Sequence, residues 1–314
     1  MIKNQKFIIK MKVLNLVYPE RSDIKYKISS FPDGQQDITL MSLPLGYLEN
    51  EVVQIRSHFN SFKDLELVIC AANALRLAKI KQRHLYIPYL LGARSDRKFV
   101  EGGNSYLVDI IAPQLNQTIK EWDGEVRNLF SSVTVYDVHS DVASACIDNL
   151  NVIENYNLVK FFIDYMVEKN EGSYLSPTIV SPDGGSLKKI YKLCEKVGIG
   201  NDIILCSKYR DTDGKLSKTN VPLVPSHNGK DFLIIDDICD GGRTFIEIAK
   251  VIKAHFPDVK IYLIVSHGIF SAKFDMLSEY FTSIFCTNSI KDITSETMEL
   301  DKNNPFKLIQ MNVF

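Results

Sequence analysis

Short apolar runs alternate with longer amphipathic segments along most of the chain. The apolar runs have the length of buried strands, and the longer segments repeat apolar positions at helical spacing. The pattern predicts strands at 84–91, 132–139, 178–183, 202–208, 232–237 and 260–268, and helices at 65–80, 104–115, 157–169, 186–198 and after Thr244. Strands that alternate with helices of this length predict parallel sheets and therefore an α/β fold.

A polar break at 148–156 divides the 314 residues almost in half. This length accommodates about two domains of ordinary size. We therefore predict an N-terminal domain at 1–150 and a C-terminal domain at 151–295, with the tail 296–314 packing back on the first domain. The segment 116–132 contains the only tryptophan and has no clean period. We interpret it as an insertion or a long connection.

Composition narrows the class of protein. Lys and Arg number 37 against 38 Asp and Glu, so no bias towards binding nucleic acid is evident. The six cysteines are widely spaced without a C-x-x-C pair, which favours a reducing cytosol over a disulfide framework. The first residues contain no apolar stretch of the kind found in signal peptides or membrane spans. We expect a cytoplasmic protein that binds neither nucleic acid nor membrane.

The segment 232–245 combines an apolar strand, a turn and the start of a helix. Asp236 and Asp237 end the apolar run, and paired carboxylates of this kind accept hydrogen bonds from the vicinal hydroxyls of a sugar. The turn that follows consists of Asp240, Gly241, Gly242, Arg243 and Thr244. Amide groups at a helix N-terminus bind anions, so this turn suits a phosphate. The segment predicts a site for a ribose phosphate.

The same segment resembles the 5-phosphoribosyl 1-diphosphate (PRPP) loop of type I phosphoribosyltransferases and of ribose-phosphate pyrophosphokinases, the PRPP synthetases. Further segments follow the order of the second family, from about residue 26 to 295: SFPDGQ at 30–35, IPYLLGARSDRK at 87–98, YDVHSD at 136–141, SPDGGSLKK at 181–189, SKYRDTDGKLSKTN at 207–220, SHGIFS at 266–271 and TNSI at 287–290. A plain phosphoribosyltransferase would lack the first three. The chain is therefore similar to a divergent PRPP synthetase.

The resemblance implies an ATP site in the N-terminal half. Its implied ATP-binding residues are Phe31, Asp33, Gln35, Arg94, Ser95, Asp96 and His139. In the family the Phe of the first segment stacks on adenine across a subunit interface, which implies at least a homodimer. His139 is also implied to serve Mg²⁺ that holds the ATP phosphates.

The resemblance implies a ribose-phosphate site in the C-terminal half. Asp183 is implied to hold a second Mg²⁺, and Asp236 and Asp237 the ribose hydroxyls, while 240–244 bind the 5-phosphate. Lys208 and Arg210 match the cations of a mobile catalytic loop that closes over the diphosphoryl group. Two cations spaced two residues apart on an extended segment point the same way.

The implied fold is two type I phosphoribosyltransferase-like domains, each a mainly parallel sheet flanked by helices. The implied reaction transfers the β,γ-diphosphoryl group of ATP to the anomeric hydroxyl of ribose 5-phosphate, giving AMP and PRPP for nucleotide and NAD biosynthesis. The segments 266–271 and 287–290 are implied to have structural roles at the interface and the ligand edge.

The chain departs from the family pattern at several ligand-side positions. Gln35 replaces the usual Glu, Ser95 replaces the usual Gln, and the phosphate turn is D-G-G-R-T instead of D-T-A-G-T. Three alternatives stay open: a pyrophosphokinase for a larger 5-substituted ribose such as ADP-ribose, a phosphoribosyltransferase, and a non-catalytic regulatory homologue. Release of AMP from ATP separates the pyrophosphokinases from the other two.

Overall fold

The computed structural model describes residues 11–41, 51–169, 177–199, 202–210, 216–272, 274–298, 300–301 and 303–314. The chain divides into two compact units, the first ending at Ile153 and also including Phe314, and the second running from Glu154 to Val313. No helix within the described ranges is long and apolar enough to cross a membrane. All six cysteines are free thiols.

A five-stranded parallel sheet forms the centre of the first unit, in the order β1-β4-β5-β8-β9. Its strands are β1 Lys12–Asn15, β4 Val52–Arg56, β5 Gln82–Tyr86, β8 Ser132–Tyr136 and β9 Leu150–Ile153. The helices of this unit are α1 Phe62–Leu77, α2 Ala112–Leu115, preceded by a π-helical segment Tyr106–Ile111, and α3 Val142–Cys146. A 3₁₀ turn, Pro19–Arg21, follows β1.

Helix α1 begins with a reciprocal cap. The Ser61 hydroxyl accepts from the amide of Asp64, whose carboxylate accepts from the amide of Ser61. This arrangement satisfies two groups that the helix leaves unpaired. The buried face of α1, which includes Leu65, Val68 and Leu75, then packs into one continuous core with the sheet.

The segment 116–132 is an ordered hairpin of β6 Thr118–Lys120 and β7 Val126–Asn128. Its turn carries Glu121, which is 3% exposed and ion-paired with the fully buried Arg83 of β5 at 2.5 Å. Arg83 also donates to the carbonyls of Ile80 and Leu129. The hairpin is thus fastened to the sheet by a buried charge pair, and it is a structured insertion.

The second unit contains a six-stranded parallel sheet in the order β11-β10-β14-β15-β16-β17. The strands are β10 Thr178–Ser181, β11 Ile203–Leu205, β14 Phe232–Cys239, β15 Ile261–Gly268, β16 Ser283–Thr287 and β17 Lys307–Met311. The helices are α4 Tyr156–Glu168, α5 Gly184–Val197, α6 Arg243–His255, α7 Asp275–Tyr280 and α8 Ser295–Met298, with a 3₁₀ turn at Pro225–His227.

The sheet of the second unit is buried on both faces. Phe245, Ile248 and Ile252 of α6 pack on one face, and residues of α4 and α5, among them Phe162 and Ile190, pack on the other. Burial on both faces explains why its central strands are continuous apolar runs without alternation. The predicted α/β class, with helices flanking parallel sheets, is confirmed.

Most of the C-terminal tail lies elsewhere than we predicted. Residues 307–311 form β17, which pairs in parallel with β16 at the edge of the second sheet, because this edge offers unpaired backbone groups to an extended segment. Phe314 alone belongs to the first unit. Its ring makes edge contacts with Tyr18, His58 and Tyr86, at centroid distances of 6.1, 4.8 and 6.1 Å.

Candidate active site

Two adjacent carboxylates lie near the carboxyl end of β14, the third strand of the larger sheet. Asp237 is buried and Asp236 is partly buried. Burial raises the pKa of Asp236 well above its ordinary value, and the negative charges of Asp237 and then Asp183 raise it further. The strand end is therefore a concentration of negative charge, which hydroxyl donors or a cation would relieve.

The turn after β14 leads directly into α6. Gly242 precedes the helix with φ 75°, in the left-handed region, and a Cβ there would lie 2.9 Å from Cδ2 of Leu277. Only glycine meets both demands without strain. Because Gly242 has no side chain with which to cap α6, the first amides of the helix and its dipole suit an anion. Arg243, the first residue of α6, is exposed, and Thr244 is partly buried.

Asp183 lies between β10 and α5, at the same edge of the sheet as the turn after β14, because β10 and β14 are parallel neighbours. It is the N-cap of α5, and its Oδ1 accepts from the amides of Gly185 at 3.0 Å and Ser186 at 3.2 Å. The cap fixes the carboxylate close enough to Asp236 for its charge to raise the pKa of that residue. Three of the predicted site residues thus come together here.

Lys208 and Arg210 belong to β12 Ser207–Arg210, which pairs with β13 Leu216–Asn220 in a two-stranded ribbon. The resemblance had implied a mobile loop here. The ribbon follows β11 at the carboxyl edge of the sheet. The register shifts between Tyr209 and Arg210, so the simple alternation that we assumed for the two cations is interrupted in this ladder. The side chains of both residues, and the whole of 211–215, lie outside the described part.

In the first unit, the segments after β5 and β8 meet. Asp96 is buried, and burial raises its pKa, but hydrogen bonds from Ser140 and Arg97 and the charge of Arg97 lower the pKa overall. Arg97 donates to the carboxylate at 3.0 Å. The predicted residues Arg94 and His139 are exposed at this edge, and Ser95 is partly buried. These two predicted ATP-side segments therefore form one cluster.

The segment 31–35 is the exposed tip of a hairpin formed by β2 Tyr26–Ser30 and β3 Gln36–Leu40. The amide of Phe31 donates to Gln35 O at 2.8 Å, and Asp33 accepts from the amide of Gln35. Phe31 is 51% exposed.

The base of the hairpin is held by Gln36. Its side-chain Nε2 donates to Lys63 O, and its backbone amide donates to the Glu66 carboxylate of α1. The hairpin presents an aromatic ring outward on a fixed base.

The predicted structural segments at 266–271 and 287–290 tie β15 to β16. Thr287 donates to Ser266 O at 2.6 Å, and His267 Nδ1 lies 2.8 Å from Ser289 Oγ, with all four residues buried. Sequence interpretation missed two contacts: Ser271 with Asp240, and Ser140 with Asp96. Both serines lie inside the segments that we singled out, but nothing in their spacing indicates a carboxylate partner.

Comparison with known proteins follows the same division of the chain. The phosphoribosyl transferase domain family matches residues 151–295, which include the site on β14. A ribose-phosphate pyrophosphokinase of Pyrococcus abyssi is 23% identical over 283 residues, covering 88% of each chain. One from Mycoplasmopsis pulmonis is 28% identical over 245 residues, covering 76% of this chain and 68% of its own.

A solved structure gives the same architecture over nearly the whole chain. The phosphoribosylpyrophosphate synthetase of Mycobacterium smegmatis superposes with a TM-score of 0.72, covering 96% of this chain and 94% of its own at 15% identity. Residues 151–295 thus match the phosphoribosyl transferase domain, and the chain as a whole has the fold of that solved structure. The chain is a transferase that is similar, over 88% of its length, to ribose-phosphate pyrophosphokinases of divergent sequence.

Proposed function

We propose that the protein transfers the β,γ-diphosphoryl group of ATP to the anomeric hydroxyl of ribose 5-phosphate, in the cytoplasm. The supporting observation is the pairing of Asp236 and Asp237 with a left-handed Gly242 turn at the start of α6. In this proposal the two carboxylates accept hydrogen bonds from the ribose hydroxyls, and the amides of 240–244 bind the 5-phosphate. The anomeric hydroxyl is then the acceptor of the diphosphoryl group.

The reaction forms a bond between the anomeric oxygen and the β-phosphorus of ATP and breaks the bond from that phosphorus to the oxygen shared with the α-phosphate. AMP departs with the electron pair of the broken bond, and the proton of the anomeric hydroxyl is released to solvent. Transfers of this kind depend mainly on positioning and charge neutralisation. Lys208 and Arg210 are assigned to offset the charge of the diphosphoryl group and of the departing AMP. Phe31, Asp33, Gln35, Arg94, Ser95, Asp96 and His139 are assigned to ATP.

Mg²⁺ is part of this proposal. Within the described ranges no group of three or more His, Cys, Asp or Glu side chains could hold a metal by itself. Mg²⁺ usually takes one or two carboxylates together with waters and substrate phosphates. The carboxylates of Asp236, Asp237 and Asp183 lie close together at the end of β14, which supports a cation there. In this proposal Asp183 contacts the Mg²⁺ near the ribose, and His139 contacts the Mg²⁺ that holds the ATP phosphates. Bound Mg²⁺ would neutralise phosphate charge.

A second acceptor is favoured by one observation. Arg243 is exposed at the first position of α6, beside the phosphate turn. A guanidinium there can pair with a diphosphate that runs outward from the turn, as ADP-ribose would require. A turn that closes around a single phosphate would accept only ribose 5-phosphate, which is the acceptor we expect.

The test is AMP formation from ATP and Mg²⁺ with ribose 5-phosphate, ADP-ribose or free ribose as acceptor. We expect the largest kcat/KM for ribose 5-phosphate, with PRPP as the second product. A preference of more than about tenfold for ADP-ribose, or 1.4 kcal/mol in transition-state binding, would replace the acceptor but keep the reaction. Absence of AMP with every acceptor would refute the pyrophosphokinase and leave the phosphoribosyltransferase and the regulatory homologue.

Lys208→Ala tests the proposed catalytic role of Lys208 in the same assay. Turnover should fall by about 10²–10⁴ while ATP affinity stays nearly unchanged, because a cation of this ribbon acts chiefly on transition-state charge. Lys192→Ala, which removes an exposed lysine of α5, should leave both quantities unchanged. Equal turnover for Lys208→Ala and the unaltered protein would remove Lys208 from the catalytic set.

A further inference from the structure

Residues 269–271, which follow β15 and are called the β15–α7 loop here, contact the phosphate turn. The amides of Ile269 and Phe270 both donate to Cys239 O, at 2.9 and 3.2 Å. The Ser271 hydroxyl donates to Oδ1 of Asp240 at 2.6 Å, and the Ser271 amide donates to Asp240 O at 3.3 Å. The loop therefore holds the end of β14 and the first residue of the turn through both backbone and side chain.

The backbone of this loop is strained at Phe270, next to these contacts. Phe270 has φ 46°, a conformation that bulky residues rarely adopt and that persists only where the surroundings enforce it. Its ring lies against Gly268, where a Cβ would be 2.1 Å from the ring, and 5.0 Å from the ring of Phe274. The conformation of Phe270 directs the chain so that Ser271 reaches Asp240.

The negative charge of Asp240 opposes the binding of an anion at the turn. Asp240 is the first residue of a turn that suits an anion, and two negative charges close together repel each other. A short hydroxyl-to-carboxylate hydrogen bond is among the stronger kinds, and it fixes the acceptor in one orientation. The bond from Ser271 therefore restrains the Asp240 carboxylate on the side of the turn that faces the β15–α7 loop.

We infer that Ser271 is a positioning residue for the phosphate-binding turn, because its hydroxyl fixes Asp240 in the orientation that admits the 5-phosphate of the acceptor. The inference rests on the proposed function for the identity of that acceptor. Ser271 acts through Asp240 and takes no part in the transfer itself. Loss of the hydroxyl should weaken binding of the phosphorylated sugar specifically, leaving ATP binding intact.

The experiment compares Ser271→Ala and Ser271→Thr with the unaltered protein, measuring Kd for ribose 5-phosphate and for ATP by titration calorimetry. We expect Ser271→Ala to weaken ribose 5-phosphate about tenfold and to change ATP affinity by less than about twofold. Threonine retains the hydroxyl, so Ser271→Thr should restore most of the sugar-phosphate affinity. In turnover assays the change should fall mainly on KM for ribose 5-phosphate.

Ser278→Ala is the matched control, since Ser278 lies on α7 and donates to Asp275 O without touching the turn. It should leave both affinities unchanged. Equal ribose 5-phosphate affinity in Ser271→Ala and the unaltered protein would overturn the inference, as would equal losses for both ligands or a failure of threonine to rescue. An unaltered protein that binds ribose 5-phosphate but releases no AMP would refute the proposed reaction and leave the role of Ser271 standing; one that binds no ribose 5-phosphate would overturn both.

Discussion

At the scale of single residues, the chemistry of the site depends on where its charges lie. The order Asp236-Asp237 after an apolar strand is readable from the sequence, and it indicates a sugar site. The sequence does not reveal that Asp183 caps α5 close enough to act on Asp236. That proximity depends on β10 and β14 being neighbours, which is a property of the sheet order. Residue types were predictable, but their mutual electrostatics were not.

The raised pKa of Asp236 predicts how stability depends on pH in the ligand-free protein. A carboxyl group whose pKa is higher in the folded than in the unfolded protein adds to the free energy of unfolding. This contribution is complete below the unfolded pKa, near 3.8, and it is lost as the pH rises through the folded pKa. Asp236→Asn removes the charge. It should therefore stabilise the protein by about 0.5–2 kcal/mol at pH values above the raised pKa of Asp236, as other substitutions that relieve repulsion do.

The measurement is thermal unfolding of both proteins at several pH values without Mg²⁺ or substrates. The stabilisation by Asn should shrink as the pH falls through the raised pKa of Asp236, because the carboxyl group then becomes protonated in the unaltered protein. Asp258→Asn, at a position where charge removal relieves no described carboxylate pair, serves as the control. A variant that is less stable than the unaltered protein at every pH would show that the charge at 236 is compensated.

At the scale of elements, the hydrophobic pattern of the sequence predicted the buried strands and the amphipathic helices. The strands β10, β14 and β15 and the helices α4, α5 and α6 follow from runs and spacing, since their burial is continuous or one-sided. The strand pairs β6–β7 and β12–β13 were missed. Their strands are short, polar and held by backbone pairing and single side-chain contacts, so no hydrophobic period marks them.

The hairpin at 118–128 should depend on its buried ion pair. Glu121→Gln leaves the charge of Arg83 buried without its partner, and breaking such a pair costs about 3–5 kcal/mol. Urea unfolding of the variant should show a loss of this size. Glu125→Gln, which removes an exposed partner of Arg127, should cost less than about 1 kcal/mol. Similar small losses for both variants would mean that the hairpin does not rely on the Arg83–Glu121 pair.

At the scale of the whole molecule, the chain has two compact units, and the second begins at Glu154, inside the polar break seen in the sequence. The tail was less predictable. Its strand β17 joins the second sheet, whereas Phe314 lies among aromatic residues of the first unit. A short segment carries too little hydrophobic pattern to indicate which sheet edge or which aromatic cluster it will join.

The assembly of the protein can be tested through Phe31. Its ring lies exposed at a hairpin tip, and its proposed role is to complete the ATP site of a neighbouring copy. Phe31→Ala and Lys208→Ala should each be nearly inactive alone. After subunit exchange, a mixed dimer contains one site with both residues intact, so an equal mixture should recover about one quarter of full activity. AMP release measures the recovery, and light scattering checks the assembly. Lys208→Ala mixed with Asp237→Asn should recover nothing, because both changes fall on the same unit; recovery there, or none in the first mixture, would contradict a shared site.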